Sequence, residues 1–183
     1  MTRDDNTSDP TDRPHDIVVF GATGFVGKLV AKHLAAHAPA GTSIALAGRD
    51  RDKLAALRDE LAGAPATDGR TGTTAADWPL LVADASSDDD MRELAESARV
   101  VLTLVGPYAR YGHALAHACA AAGTDYVDLT GEVLFAHDSI AANHELAQST
   151  GARIVHSCGF DSIPSDIGVK VLHDAAAQAG DGN

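Results

Sequence analysis

One short passage constrains the fold more than any other. Ile17-Val18-Val19-Phe20 is a continuous apolar run that breaks on Gly21-Ala22-Thr23-Gly24-Phe25-Val26-Gly27. Beyond the break Val26, Leu29, Val30 and Leu34 recur at helical spacing as far as about His37. A strand apolar at every position has both faces covered, which is the pattern of a parallel sheet. A glycine turn lets the backbone approach a ligand closely, and the first helical turn offers N–H groups with no acceptor inside the helix. Gly27, the third glycine, lets the helix lie against the sheet. The passage predicts an α/β fold with a pyrophosphate site at the head of its first helix. Its spacing is GxxGxxG, not the commoner GxGxxG, so on the glycines alone a purely packing turn is the competing reading. Gly27-Lys28 also resembles the end of a triphosphate-binding loop. That motif needs glycine where Ala22 stands and a hydroxyl for magnesium where Leu29 stands, so it is rejected.

The alternation continues along the chain. Strands are expected at Ser43–Ala47, Pro79–Ala83, Val100–Val105, Tyr126–Leu129 and Arg153–His156. Helices are expected at Asp50–Leu61, Ser87–Ser97, Gly112–Ala122, Ala136–Ser149 and Pro164–Ala177, with Asp50 as an N-cap. Short apolar strands alternating with helices predict one doubly wound parallel sheet of about six strands, covered on both faces. The domain should occupy residues 15–178. Residues 1–14 carry two Arg and four Asp and no apolar side chain after Met1, and read as a solvated arm. Residues 63–77 read as a loop insertion and 179–183 as a flexible end. Against 26 Asp and Glu stand only 14 Lys and Arg, a net charge of −12. With no basic run, nucleic acid is a poor partner. No apolar stretch approaches the ~18 residues of a membrane span. Two cysteines among 183 residues make no disulfide framework and suit a cytoplasmic protein.

The strand Ile44-Ala45-Leu46-Ala47 ends in Gly48-Arg49, where a dinucleotide's adenosine ribose is read. A carboxylate there accepts from both ribose hydroxyls, whereas an arginine forks onto a 2′-phosphate. Arg49 therefore predicts NADP(H), with Arg51 or Lys53 as a second charge; a solvated surface arginine is the plain alternative. Asp84 either meets the adenine amino group or caps the next helix. Val105-Gly106-Pro107 closes the fourth strand at the carboxyl edge, where ligands lie in such sheets. The cofactor-binding set is thus Gly21, Thr23, Gly24, Phe25, Val26, Arg49, Lys53, Asp84, Val105, Gly106 and Pro107. Tyr108, Asp128 and Glu132 are candidates to face substrate, with Thr130 between the last two; ordinary loop capping and packing compete with that role. Asp161 is a candidate cap for the last helix. No tyrosine is followed four residues later by lysine, so the Tyr-x-x-x-Lys proton donor of short-chain dehydrogenases is missing. His33 and His37, like His113 and His117, have i, i+4 spacing but neither a general-base Glu nor a third ligand, so no metal is expected. His33 and His37 fall on the face of Val26 and read as half-buried packing residues. Cys119 reads as core, and nothing argues for an activated thiolate at Cys158.

GATGFVGK (21–28), AGR (47–49), VGPYARYG (105–112), DYVDLTGE (125–132) and HSCGFDSIPSD (156–166) occur in this order. Together they resemble the N-terminal half of the saccharopine dehydrogenase-like oxidoreductases, most closely the trans-acting enoyl reductases of mycobacteria and related actinobacteria. The resemblance covers roughly 16–177. It implies a Rossmann domain binding NADP and, elsewhere in the family, a following substrate and dimerisation domain, which is absent from this sequence. The implied reaction reduces the carbon–carbon double bond of an enoyl thioester, small or carrier-bound, in lipid or polyketide synthesis. A homodimer is expected only if the second domain is supplied. The alternative is a non-catalytic NADP-binding or sensor module, inactive for want of a substrate domain.

Overall fold

The structure is a computed structural model that describes residues 13–63 and 75–180. Six strands form one sheet: β1 (His15–Phe20), β2 (Ile44–Gly48), β3 (Leu80–Val82), β4 (Ala98–Thr103), β5 (Asp125–Val127) and β6 (Ile154–Val155). Their spatial order is β3-β2-β1-β4-β5-β6, and every pairing is parallel. This is the doubly wound Rossmann order, with its switch point between β1 and β4. The register sets Phe20 beside Ala47 on one side and Thr103 on the other.

Successive side chains of a strand face opposite ways, and the core divides accordingly. Val18 and Phe20 enter one layer with Met91 and Leu94 of α3 (Asp88–Ser97) and Leu115 and Cys119 of α5 (His113–Ala122). Val19 enters the other layer with Ala31 of α1 (Phe25–His37), Leu54 and Leu57 of α2 (Arg51–Ala62), and Trp78. All of these side chains are at most 3% exposed. The covering of both faces is the physical reason that β1 reads as an unbroken apolar run.

Three short segments differ from expectation. Helix α3 runs into β4 with no loop, so β4 begins at Ala98 and ends at Thr103, and Leu104 and Val105 have already left the strand. A single extra helical turn, α4 (Tyr108–Tyr111), follows the cis Gly106–Pro107 peptide. Within the expected insertion 63–77, Ala75–Asp77 form a 3-10 turn that leads Trp78 into the core; residues 64–74 lie outside the described residues. Of the expected arm 1–14, residues 1–12 also lie outside them. Arg13 is already tied down: its guanidinium donates to the carbonyls of Ala95 and Ala122 at 2.8 and 2.6 Å. The remaining helices are α6 (Val133–Thr150) and α7 (Ile163–Ala179). Asp50 caps α2 as the sequence placed it, accepting from the Lys53 N–H, whereas α3 is capped by Ser87, not Asp84, through the Asp90 N–H.

Candidate functional site

The glycine turn lies at the carboxyl edge of β1, on the switch point. Gly21 has φ +85°, a region glycine enters without strain. A Cβ on Gly21 would meet Val105 Cγ2 at 2.9 Å, so Val105 closes directly over the turn. Gly27 is the tightest position: a Cβ there would fall on the Gly21 carbonyl oxygen and come within 2.7 Å of the Ala22 carbonyl. The turn holds itself by Gly24 N–H donating to Gly21 O at 3.0 Å, and α1 starts from Gly24 with no side-chain cap. The first-turn N–H groups of α1 therefore have no carbonyl within the helix and no cap from Gly24. Gly24, Phe25 and Val26 are exposed, Phe25 at 83%.

Arg49 follows β2 at the same edge and is exposed. Thr23 points to that strand end, its Oγ1 4.0 Å from where a Cβ of Gly48 would stand. Lys53 Nζ pairs with Asp50 at 3.1 Å. Asp84 does not cap α3, since Ser87 does. Asp84 Oδ1 instead accepts from the Ser86 N–H and hydroxyl at 2.9 and 2.7 Å, bonds that lower its pKa, with the Arg49 charge adding to the effect. The chemistry of this edge fits NADP: helical N–H groups and a close glycine backbone suit a pyrophosphate, and a guanidinium suits a 2′-phosphate.

Beside this edge lies a buried polar network at the ends of β5 and β6. The Asp128 side chain is fully buried. Its Oδ1 accepts from the Thr130 and Ser157 N–H groups at 3.0 and 2.9 Å; its Oδ2 accepts from the Tyr126 hydroxyl at 2.9 Å and meets His156 Nδ1 at 2.6 Å. An ionised carboxylate only accepts, so Nδ1 carries the proton. Burial pushes the Asp128 carboxyl up, but the bonds from His156, Thr130 and Ser157 outweigh it and leave the pKa below the ordinary value. Ser157 sits at φ +59°, held by its N–H to Asp128 and by its hydroxyl donating to Thr130 O at 2.7 Å. His156 Nε2 is buried without a hydrogen-bond partner among the described residues, and the ring stands edge-on to Phe135 at 5.2 Å.

Glu132 grips α4: its two oxygens accept from the Tyr108 and Ala109 N–H groups at 2.7 and 2.8 Å. Tyr108 is buried and donates to Thr103 O at 3.1 Å; burial pushes its hydroxyl up to about 12. The three candidates to face substrate are thus neighbours in one hydrogen-bonded assembly. His156 and Ser157 were not singled out as functional from sequence. The available signal was that Asp128 and His156 each stand one residue past paired strands, Val127 beside Val155.

The histidine pairs serve other ends. His33 and His37 are exposed, not half-buried, and stack on each other at 4.4 Å, because the Val26 side of α1 faces outward. His117 Nδ1 lies 3.0 Å from Asn143 Oδ1. Among the described residues no group of three or more His, Cys, Asp or Glu could hold a metal ion, and no helix is long and apolar enough to cross a membrane. Cys119 is buried as expected, and burial pushes its thiol up; Cys158 is exposed.

The chain is 51% identical over 173 residues to a trans-acting enoyl reductase of Mycobacterium tuberculosis, spanning 94% of itself but 39% of that protein. Among solved structures, yeast saccharopine dehydrogenase (L-Glu forming) superposes with a TM-score of 0.66 at 16% identity, over 91% of this chain and 32% of that one. The Citrobacter triphenylmethane reductase complexed with NADP(H) superposes with a TM-score of 0.53 at 18% identity, over 77% and 48%. At such identities the two structures show the fold alone. The saccharopine dehydrogenase NADP binding domain matches residues 17–155, from within β1 to the end of β6, and the chain belongs to that family.

Proposed function

We propose that this chain is the NADPH-binding portion of a reductase that saturates the carbon–carbon double bond of an enoyl thioester, free or carrier-bound, in the cytoplasm. The observation that carries the reading is the 51% identity to a trans-acting enoyl reductase over 173 residues, 94% of this chain. NADPH, when bound, supplies the hydride. Gly21, Thr23, Gly24, Phe25 and Val26 present backbone to the pyrophosphate, and Arg49 selects the 2′-phosphate, with Lys53 as an outlying charge. Asp84 would meet the adenine amino group, and Val105, Gly106 and Pro107 would border the nicotinamide half. Glu132, Tyr108 and Asp128 act on substrate by fixing the shape of the edge it lies against: α4, the end of β5 and the end of β6.

The second reading is an NADP-binding module without turnover, which the absence of any Tyr-x-x-x-Lys pair and the buried state of Tyr108 favour. Titration of the purified chain with both cofactors should give at least a tenfold preference for NADPH over NADH, and equal affinities would sink the cofactor assignment. NADPH oxidation is then followed with enoyl thioesters, with and without the rest of a mycobacterial relative supplied. Turnover supports the reductase; binding with no oxidation under either condition supports the module.

A further inference from the structure

Residues 104–107 join the end of β4 to α4 and pass over the glycine turn, where Val105 Cγ2 stands 2.9 Å from the place a Cβ of Gly21 would take. The segment is fastened to β1 at its start, Leu104 N–H donating to Phe20 O at 2.8 Å. Its far end is α4, a single turn with no side-chain cap from Pro107. One helical turn is not stable alone, because its nucleus fixes several residues for one hydrogen bond. It must be held from outside. The Tyr108 hydroxyl ties it back to Thr103 O at 3.1 Å, and the Tyr108 ring stacks on Phe135 at 5.7 Å. Glu132, from beyond β5, takes the Tyr108 and Ala109 N–H groups at 2.7 and 2.8 Å, one on each carboxylate oxygen. These are first-turn donors with no acceptor inside the helix, and an ionised carboxylate is among their strongest partners. Glu132 is aimed in turn by its own N–H, which donates to Thr130 Oγ1 at 3.0 Å.

We infer that Glu132 is a positioning residue for the nicotinamide half of the cofactor, a role that rests on the reading of Val105, Gly106 and Pro107 as the border of that half. It acts through α4 and touches neither ligand nor glycine turn. Two convergent bonds to one carboxylate fix the direction of the turn, which a ring contact or a single hydroxyl does not. With Glu132 in place the segment is held at both ends and presents a fixed wall beside the switch point. Without it the far end of the segment keeps only the Tyr108 tethers, and Gly106 has no side chain to stiffen it. The adenosine half is assigned to other groups, Arg49 and the first turn of α1. Among the described residues the Glu132 carboxylate bonds only to α4. Its loss is therefore felt by one half of the ligand and not by the other.

The test titrates two ligands into the purified 183-residue chain. NADPH engages both halves of the site; adenosine 2′,5′-bisphosphate carries the adenosine and the 2′-phosphate with no nicotinamide. Glu132→Ala should weaken NADPH by about tenfold, the scale of losing a bond to a charged acceptor, and leave the bisphosphate within about twofold. The emission of bound NADPH should move toward that of the free cofactor. Glu132→Gln keeps the shape and one acceptor oxygen, so it should show the same selective loss to a smaller degree, and it carries the test should the alanine variant fail to fold. Equal losses for the two ligands, or unchanged NADPH binding in each folded variant, would overturn the positioning role. So would a wild-type chain that binds NADPH no tighter than the bisphosphate, which leaves the 2′-phosphate assignment to Arg49 standing. A wild-type chain that binds neither ligand refutes the cofactor edge itself.

Discussion

Removing the Asp128 carboxylate tests whether the ends of β5 and β6 are held as described. Four donors converge on a side chain that is fully buried: two backbone N–H groups, the Tyr126 hydroxyl and His156 Nδ1. Bonds to a charged acceptor contribute ~1.5–3 kcal/mol each, but they are not additive and water can enter a vacated site. Breaking one side of a buried charged pair costs about 3–5 kcal/mol, and Asp128→Ala should fall in that range. Asp128→Asn is milder because its Oδ1 still accepts from Thr130 and Ser157. Its Nδ2, however, replaces the oxygen that received from Tyr126 and His156, so His156 must change tautomer and Tyr126 must turn its hydroxyl. A loss of ~2 kcal/mol is expected, and nitrogen NMR of the imidazole should report the exchanged proton. The pH dependence follows from linkage. The folded-state pKa is depressed, so the carboxylate's stabilisation is present above the ordinary ~3.9 and is lost as pH falls through the folded value. Urea denaturation should therefore show the wild-type advantage over Asp128→Asn full at pH 7 and shrinking below about pH 4. An Asp128→Ala cost under ~1 kcal/mol, or a wild-type advantage unchanged from neutral to acid pH, would refute the network as a clamp.

Two further changes address the cofactor edge. Arg49→Ala should reduce NADPH affinity about tenfold while leaving NADH affinity within about twofold, measured by quenching of cofactor fluorescence; a parallel loss for both would remove Arg49 from the 2′-phosphate. Gly27→Ala drives a methyl onto the Gly21 carbonyl oxygen, where only backbone can yield. It should lower stability by ~1–3 kcal/mol and abolish measurable binding of both cofactors, and an unchanged melting temperature would show that α1 is not seated against the turn.

Much of the fold and part of the site was legible because the relevant physics is local in the chain. The apolar run of β1, the glycines and the first turn of α1 are consecutive, and their spacing carries the close approach that the Gly27 geometry displays. The position of Arg49, though not its role, was legible for a related reason: it is the residue after a strand whose end is fixed relative to the turn by parallel register. Local signals also failed in an instructive way. The extra turn α4 is invisible to periodicity because it spans four residues, and its N-terminus is satisfied by Glu132, 24 positions later. His33 and His37 have the spacing of packed residues, yet the face they share looks outward, and only the placement of α1 decides that.

The Asp128 network shows where sequence reading stops and why. Each member alone has an ordinary explanation: a carboxylate past a strand, a histidine in a loop, a serine in a turn. Their meaning lies in convergence across 28 residues of sequence, brought about by one register in which Val127 meets Val155 and the next residue of each strand turns inward. Once that register is known, the burial of Asp128 requires partners, because an uncompensated buried carboxylate would protonate instead. The donors that keep it ionised also hold Ser157 at its positive φ and join the loop after β5 to the loop after β6. The loops at 128–130 and 156–157 are thus one structural unit. Substitution at His156 should consequently disturb the Thr130 loop as much as its own, a coupling that a double-mutant cycle between His156→Asn and Thr130→Ala would register as non-additivity.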